Sequence, residues 1–267
     1  LTGITHNPWA HGMNAGASSA GAGAAAAAGY GPLHQGSDGA GSIRMPAHFC
    51  GIYGLKPSFG RVPLPPVQSN DLTSHLGPMT RTVDDAALMM AVTSGPHPLD
   101  HFSLEDPSPG FDRMADIDMK GRRIAWSPDL GHARVDPDVA ELTLKAVQAF
   151  QDMGAHVEEV TPAWGPRGPD LIRFFWAAHE LTYRSMLPEW GDKVDPGLVA
   201  CIQSVADVSA EQYIRTRTVK MDYTADIHRL LEAYDSLLTP AVSVPGFPAD
   251  HSSPGKRSQD PPGWLPR

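Results

Sequence analysis

GSDGAGSIRMPAHFCG, residues 36–51, is the most informative stretch of this 267-residue sequence. Glycine and alanine surround Asp38 and Ser42, and a segment compatible with a helix begins at Ser42. Such small residues allow consecutive backbone N–H groups to converge beside the serine hydroxyl, which is the geometry of an oxyanion hole. Because a serine hydroxyl is a weak nucleophile without a base in hydrogen-bond reach, the pattern alone fits either a catalytic serine or a structural Gly/Ser turn.

A second serine site, GASSAG at residues 16–21, precedes the first, and 24 positions separate Ser18 from Ser42. Neither site is a G-x-S-x-G nucleophile elbow, because Ser18 is followed by Ser19 and Ala20. The sequence also contains no G-x-x-x-x-G-K-[ST], so the glycine-rich loop is not a Walker phosphate loop.

Several segments, in order and at matching spacings, resemble the amidase signature family. GASSAG resembles the family motif GGSSGG, and GSDGAGSIRMPAHFCG resembles G-[ST]-D-x-G-G-S-I-R-x-P-A-x-F-C-G. The similarity also includes HNPW at residues 6–9, GLKPSFGRVP at 54–63 and GPMTRTVDDAALMM at 77–90. The chain is therefore identified as a member of this family.

The resemblance covers nearly all of residues 5–248 and implies an α/β fold. In the family this fold is an α/β/α sandwich around a mostly parallel mixed sheet. We expect residues 1–248 to form a single amidase domain that represents the middle of the family's domain and is incomplete at both ends. The Pro-rich residues 249–267 are expected to be a disordered tail.

The resemblance further implies hydrolysis or transfer of amides by a Ser–cisSer–Lys unit. Ser42 is the expected nucleophile, which forms the acyl-enzyme. Ser18, which a cis peptide bond precedes in the family, is the expected proton relay. Besides the Ser42 N–H, the expected oxyanion donors are the backbone N–H groups of Gly39, Ala40 and Gly41. Three polar residues match positions that brace the loop, or are purely structural: Asp38, Ser19 and Arg44.

The sequence departs from the family pattern in two ways. The family's lysine base lies N-terminal to GGSSGG, whereas no lysine precedes Lys56 here, and Lys56 belongs to the structural GLKP motif. We therefore expect this chain alone to be an incomplete catalyst, because losing a triad member costs several orders of magnitude in rate. Three alanines also stand where the family usually has glycine: Ala17, Ala20 and Ala40. A positive φ at Ala17 or Ala20 would cost roughly 1 kcal/mol. A methyl group at Ala40 can crowd the backbone donors.

Three functions remain open at this level. The chain is an amidase acting on a small-molecule amide, an amidotransferase A-type subunit that produces ammonia for tRNA-bound Glu or Asp with partner subunits, or an inert remnant that kept the cleft. A net charge of −9 without blocks of like charge argues against direct binding to nucleic acid or to a membrane surface. Dimers are common among similar proteins, so a homodimer is also compatible with the resemblance.

No metal or organic cofactor is implied. None of the 12 histidines and two cysteines falls in an HxxH, HExxH or CxxC spacing. Two cysteines do not make a disulfide framework, and residues 1–12 do not resemble a signal peptide, so a cytoplasmic location is the expectation.

Hydrophobic periodicity predicts the remaining elements. Helices are expected over 83–94, over 137–153 after an Asp136 cap, and at about 168–187 and 207–233. Strands are expected over 123–126, 156–160 and 236–239, and the first two with their connecting helix form a strand–helix–strand unit. Residues 12–29 fit either a flexible linker or a short packed helix. Residues 95–120 are expected to form a surface excursion. Four aromatic residues are expected to line an acyl pocket or to pack in the core: Phe174, Phe175, Trp176 and Tyr183.

Overall fold

A computed structural model describes residues 3–66, 73–105, 110–111 and 117–251. The chain forms two compact units. The first comprises Leu1–Gln68, Thr73–Asp116 and Ala241–Arg267, and the second comprises Ser69–Leu72 and Ile117–Pro240. The predicted tail beyond residue 251 and part of the predicted 95–120 excursion lie outside the described residues.

The first unit carries both serine motifs. It contains β1 (His6–Asn7), β2 (Ala10–Asn14), α1 (Ala20–Ala27), β3 (Leu33–Asp38), α2 (Arg44–Cys50), β4 (Tyr53–Gly54), β5 (His75–Thr80) and α3 (Val83–Thr93). Strand β5 lies between β3 and β4 and is antiparallel to both. The register pairs Asp38, the last residue of β3, with His75, the first residue of β5.

The small residues of the first motif allow close packing. Residues 20–27 form helix α1, so the linker interpretation of that part of the stretch is wrong. A Cβ on Gly23 would lie 2.9 Å from the Cβ of Pro46, and one on Gly16 would lie 2.5 Å from the Pro46 backbone nitrogen. A side chain at Gly16 would therefore push the first motif away from the start of α2, and one at Gly23 would push helix α1 away from it.

The HNPW motif closes the other end of α2. The last carbonyls of a helix have no partner inside it and need external donors. The Asn7 side-chain amide donates to the Phe49 carbonyl at 2.6 Å, and the Trp9 indole N–H donates to the Cys50 carbonyl at 2.7 Å. Gly51 then ends the helix in the left-handed conformation, with φ of 64°. Both ends of this short helix are thus fixed by motif residues.

The second unit is a strand–helix–strand layer extended by a third strand and further helices. Its elements are β6 (Arg123–Trp126), α4 (Pro137–Asp152), β7 (His156–Glu159), α5 (Arg167–Glu180), α6 (Leu187–Trp190), α7 (Pro196–Ser204), α8 (Ala210–Leu231) and β8 (Ser236–Leu238). The strand order is β7-β6-β8, and both pairs are parallel. No helix among the described residues is long and apolar enough to cross a membrane.

The structure confirms the expected helices over 83–94 and 137–153, and it pairs β6 with β7 in parallel, which fits the expected strand–helix–strand unit. The helix expected over 168–187 is interrupted: α5 ends at Glu180, a 3₁₀ helix spans Leu181–Met186, and α6 begins at Leu187. Helix α7, which Asp195 caps before Pro196, was not predicted. On α4, Val139 and Val147 are buried, whereas Leu142 is 65% exposed, so the core-facing stripe is narrower than the apolar sequence suggested.

The four aromatic residues divide between core and surface. Phe175 is buried and packs edge-on against Phe174 and Tyr213. Phe174 and Trp176 are half-buried, and Tyr183 is exposed. Core packing therefore accounts for Phe175.

Replacing Gly16 by alanine is expected to destabilise the first unit more than replacing Gly12. Both glycines have positive φ, +84° and +94°, so each alanine should cost about 1 kcal/mol of backbone strain. At Gly12 a Cβ meets nothing within 4 Å, whereas at Gly16 it meets the backbone of Pro46. We expect Gly16→Ala to cost at least about 2 kcal/mol more than Gly12→Ala in urea denaturation. Equal costs would mean that the contact with Pro46 relaxes freely.

Candidate active site

The buried carboxylate of Asp38 organises the loop that follows β3. Asp38 is 0% exposed. Its Oδ1 accepts the N–H of Gly41 at 2.7 Å, and its Oδ2 accepts the N–H groups of Ile43 and Arg44 at 3.2 and 3.3 Å. Residues 38–44 are therefore folded around a single carboxylate, and the turn delivers the chain into helix α2.

The Arg44 side chain completes the partners of this carboxylate. Its Nε lies 2.9 Å from Oδ2 and one terminal nitrogen 2.8 Å from Oδ1, so the pairing is bidentate. Burial by itself raises the pKa of Asp38, but the hydrogen bonds and charge of Arg44, together with the N–H groups of Gly41 and Ile43, outweigh it. The pKa falls from an ordinary 3.8 to about 2. Asp38 is therefore ionised at neutral pH.

The two serine motifs meet through Ser19. Its N–H donates to the Ser42 carbonyl at 3.3 Å, which places the Ser18 segment beside the Ser42 segment. The Ser19 hydroxyl donates to the Ser37 carbonyl at 3.3 Å and accepts the Ser37 N–H at 3.2 Å. Ser19 thus braces the first motif against the end of β3.

The hydroxyls of Ser42 and Ser18 are not used in the packing. Ser42 is buried, at 8% exposure, Ser18 is exposed, and the Ala17–Ser18 peptide bond is cis. Among the described residues, neither hydroxyl donates or accepts a hydrogen bond. Both hydroxyls are therefore available to a substrate or to each other.

The backbone donors around Ser42 differ from the predicted set. Gly41 N–H is already committed to the Asp38 carboxylate, which corrects the expectation that it points at a substrate. Within the described part of the chain, the N–H groups of Gly39, Ala40 and Ser42 have no acceptor. Gly41 instead provides the turn, with φ of +115°, a conformation that a side chain would strain.

The alanines that replace family glycines do not strain the backbone. Leu130 is the only non-glycine residue in the described ranges with positive φ. Ala17 and Ala20 therefore avoid the strain that a positive φ would have caused, and Ala40 has no positive φ either.

Two further ionisable groups lie beside the loop. The Lys56 ammonium donates to the Pro57 carbonyl at 3.1 Å. Burial lowers the pKa of Lys56, the charge of Arg44 lowers it further, and the charge of Asp38 opposes both. His75, which sequence reasoning missed, contacts the Asp38 carbonyl through Nδ1 at 3.2 Å. Only the sheet register, which pairs these two residues across 37 positions, could have revealed it.

No group of three or more His, Cys, Asp or Glu in the described residues is placed to hold a metal ion. The arrangement instead offers a serine hydroxyl, a neighbouring second serine and three backbone donors. This set of groups suits stabilisation of an oxyanion during acyl transfer.

A family model for Amidase matches residues 1–261. The chain belongs to the Amidase family. Among curated relatives, an acylamidase from Rhodococcus erythropolis is 36% identical over 258 residues, which are 95% of this chain and 54% of the relative. The A-type subunit of the glutamyl-tRNA(Gln) amidotransferase of Gloeobacter violaceus is 39% identical over 160 residues, which are 60% of this chain and 33% of that protein.

Solved Amidase-family structures share the fold. A bacterial aryl acylamidase of the amidase signature family matches with a TM-score of 0.84 and 29% identity, over 97% of this chain and 56% of that chain. The A-type subunit of the Thermotoga maritima glutamyl-tRNA(Gln) amidotransferase matches with a TM-score of 0.77 and 26% identity, over 95% and 56%. The expected α/β fold class is confirmed, and the chain spans about half the length of these relatives.

The Asp38 carboxylate is expected to make stability depend on pH at the acidic end. Because its folded pKa of about 2 lies below the ordinary 3.8, it stabilises the fold above pH 3.8, and this contribution is lost as the pH falls through 2. The full contribution is about 2 kcal/mol, and roughly half should be gone at pH 3. Urea denaturation of the native protein and of Asp38→Asn at pH 7 and pH 3 measures it: the difference in unfolding free energy should shrink by about 1 kcal/mol.

Arg44 provides the control for this experiment. Arg44→Met in the native background leaves the buried carboxylate without its counter-charge, and should cost about 2–3 kcal/mol. The same substitution made in Asp38→Asn should cost much less, because no charge is left unpaired. Equal costs in both backgrounds would show that the pair does not organise the loop.

Proposed function

We propose that this chain carries the nucleophile of an amide-bond hydrolase and that Ser42 forms the acyl-enzyme. The observation that supports this is the loop folded around Asp38. It leaves the N–H groups of Gly39, Ala40 and Ser42 without acceptors beside a serine hydroxyl that is likewise unpaired. Ser42 is buried and Gly39 is half-buried, so their unpaired groups are the ones that favour a bound substrate, whereas the N–H of the exposed Ala40 is open to water.

In the proposed reaction, the Ser42 Oγ attacks the amide carbonyl carbon and passes its proton to Ser18. The carbonyl oxygen becomes an oxyanion, which accepts hydrogen bonds from the free backbone donors. The C–N bond then breaks, and the leaving nitrogen departs as ammonia or an amine after gaining a proton. Water attacks the resulting ester of Ser42, releases the carboxylic acid and restores the hydroxyl.

The relay needs a base that accepts the proton from Ser18. The family resemblance assigns that role to a lysine N-terminal to the first motif, and no lysine precedes Lys56 in these 267 residues. Lys56 is not proposed as a substitute, because its ammonium donates to the Pro57 carbonyl. Acylation by this chain alone is therefore expected to be slow, but the nucleophile and the oxyanion donors should still be assembled.

The proposed substrates are small carboxylic acid amides, in keeping with the relatives named acylamidase and aryl acylamidase. A second candidate is the A-type component of an amidotransferase, which the Gloeobacter and Thermotoga relatives favour. That role would require partner subunits and glutamine as the amide donor.

A fluorophosphonate probe tests the nucleophile, because it forms a P–O bond to an activated serine and releases fluoride. We expect an adduct on Ser42, mapped by peptide mass spectrometry, that disappears in Ser42→Ala. Ser18→Ala should slow labelling by about a hundredfold or more, as removal of a proton-transfer group does. Ser58→Ala, which removes an exposed hydroxyl of the same unit, should label at the native rate. An unlabelled Ser42 in a folded sample would reject the proposed role in this chain.

The two substrate classes are distinguished by turnover. The amidase proposal predicts release of aniline from an N-acyl anilide and little ammonia from glutamine. The amidotransferase proposal predicts the opposite preference. Ser42→Ala should abolish either activity, which separates a reaction of this site from contaminating enzymes.

A further inference from the structure

The His75 side chain donates a hydrogen bond to the backbone of the loop at residues 38–44. Its Nδ1 lies 3.2 Å from the Asp38 carbonyl oxygen and 2.7 Å from the Thr73 carbonyl oxygen. Carbonyl oxygens only accept hydrogen bonds, so Nδ1 carries the proton and shares it between them. In the neutral ring, Nε2 then holds a lone pair.

The Asp38 carbonyl belongs to the same peptide unit as the Gly39 N–H. That peptide bond is trans, since the cis bonds of the described residues are Ala17–Ser18 and Pro65–Pro66. In a planar trans peptide the C=O and N–H point in opposite directions. The pairing of Asp38 with His75 in the β3–β5 register and the His75 side-chain donor both hold the Asp38 oxygen on the β5 side, which fixes the opposite direction for the Gly39 hydrogen.

We propose that His75 is a positioning residue that orients the Gly39 N–H, the first donor of the oxyanion loop, by holding the Asp38 carbonyl. This inference rests on the proposed function of the loop. Asp38 is thereby held twice: its carboxylate fixes the turn after Gly39, and its carbonyl fixes the peptide plane before it. The Gly39 N–H lies between these two restraints.

The surroundings of His75 favour the neutral ring. Burial lowers its pKa, and the charge of Lys56 lowers it further, whereas the two carbonyl acceptors and the charge of Asp38 oppose them. A neutral ring with the proton on Nδ1 is therefore the form present at neutral pH. Phe59 packs edge-on against the ring at 5.6 Å, which limits its rotation.

Three variants separate positioning from simple packing. His75→Asn keeps an amide N–H near the place of Nδ1 and loses the rest of the ring. His75→Phe keeps a ring against Phe59 and loses the donor. His34→Phe is the matched control: His34 is also half-buried and also contacts a carbonyl, that of Gly31 at 3.3 Å, but it lies at the other end of β3. It is roughly 13 Å from Asp38 along the strand.

Two measurements are made on the full chain. NMR follows the Asp38 carbonyl carbon, the Gly39 amide and the nitrogens of His75. Fluorophosphonate labelling of Ser42 gives a rate constant for each variant. We expect Nδ1 of His75 to carry the proton at pH 7, and the Asp38 and Gly39 signals to move in His75→Phe and to return toward native values in His75→Asn. Labelling should slow by about tenfold or more in His75→Phe, since one oxyanion donor is worth more than that.

His75→Asn should recover most of the labelling rate, and His34→Phe should match the native protein. Unchanged Asp38 and Gly39 signals in His75→Phe would overturn the proposal, whatever the labelling shows. Moved signals with a native labelling rate would overturn it too, since the donor would then be irrelevant to the reaction. If native Ser42 is not labelled at all, the proposed function fails, and the NMR signals still decide whether His75 holds the Gly39 peptide.

Discussion

The Asp38 carboxylate accepts three backbone N–H groups and a bidentate arginine from within seven residues of chain. A buried carboxylate is costly unless it is paired and fully hydrogen-bonded, so the loop must close around it for the chain to fold. In the closed loop, the N–H groups of Gly41, Ile43 and Arg44 donate to this carboxylate and are not available to other acceptors. The donors that remain lie on either side of Gly41, next to the Ser42 hydroxyl. The same interaction that stabilises the turn thus selects which donors stay free.

The packing around this loop explains the small residues of both motifs. Ile43 is fully buried directly after Ser42, and it can be so only because Gly36 and Gly54 leave room for its side chain. Gly16 lets the first motif approach the start of α2 to within contact of Pro46. A serine held between such close backbones has little freedom to move. Ser42 therefore lies on packed elements, which is what the role proposed for its hydroxyl would require.

Local chemistry in the sequence accounts for the elements that were predicted. Thr82 and Asp136 are good N-caps, and Pro137 fits only a first turn, so the starts of α3 and α4 are encoded locally. The broken helix after Glu180 and the exposed face of α4 are different. Both features depend on which residues pack against each helical turn, and hydrophobic periodicity contains no information about those contacts. The parallel pairing of β6 with β7 is partly encoded in the sequence, since a strand–helix–strand unit has few other possible strand arrangements.

The sequence by itself determined the family, the α/β class and the identity of the motif residues, including Ser42, Ser18 and Asp38, because these are carried by residue types at fixed spacings. Only the tertiary structure decided which backbone donors are free. Nothing in the sequence distinguishes the N–H of Gly41 from that of Ala40, whereas in the fold the Asp38 carboxylate accepts the Gly41 N–H. The tertiary structure also brought His75 to the loop, since residues 37 positions apart meet only through the register of antiparallel strands. The spacing of residues in the sequence shows which chemical groups are present, and the packing of the fold determines where those groups point.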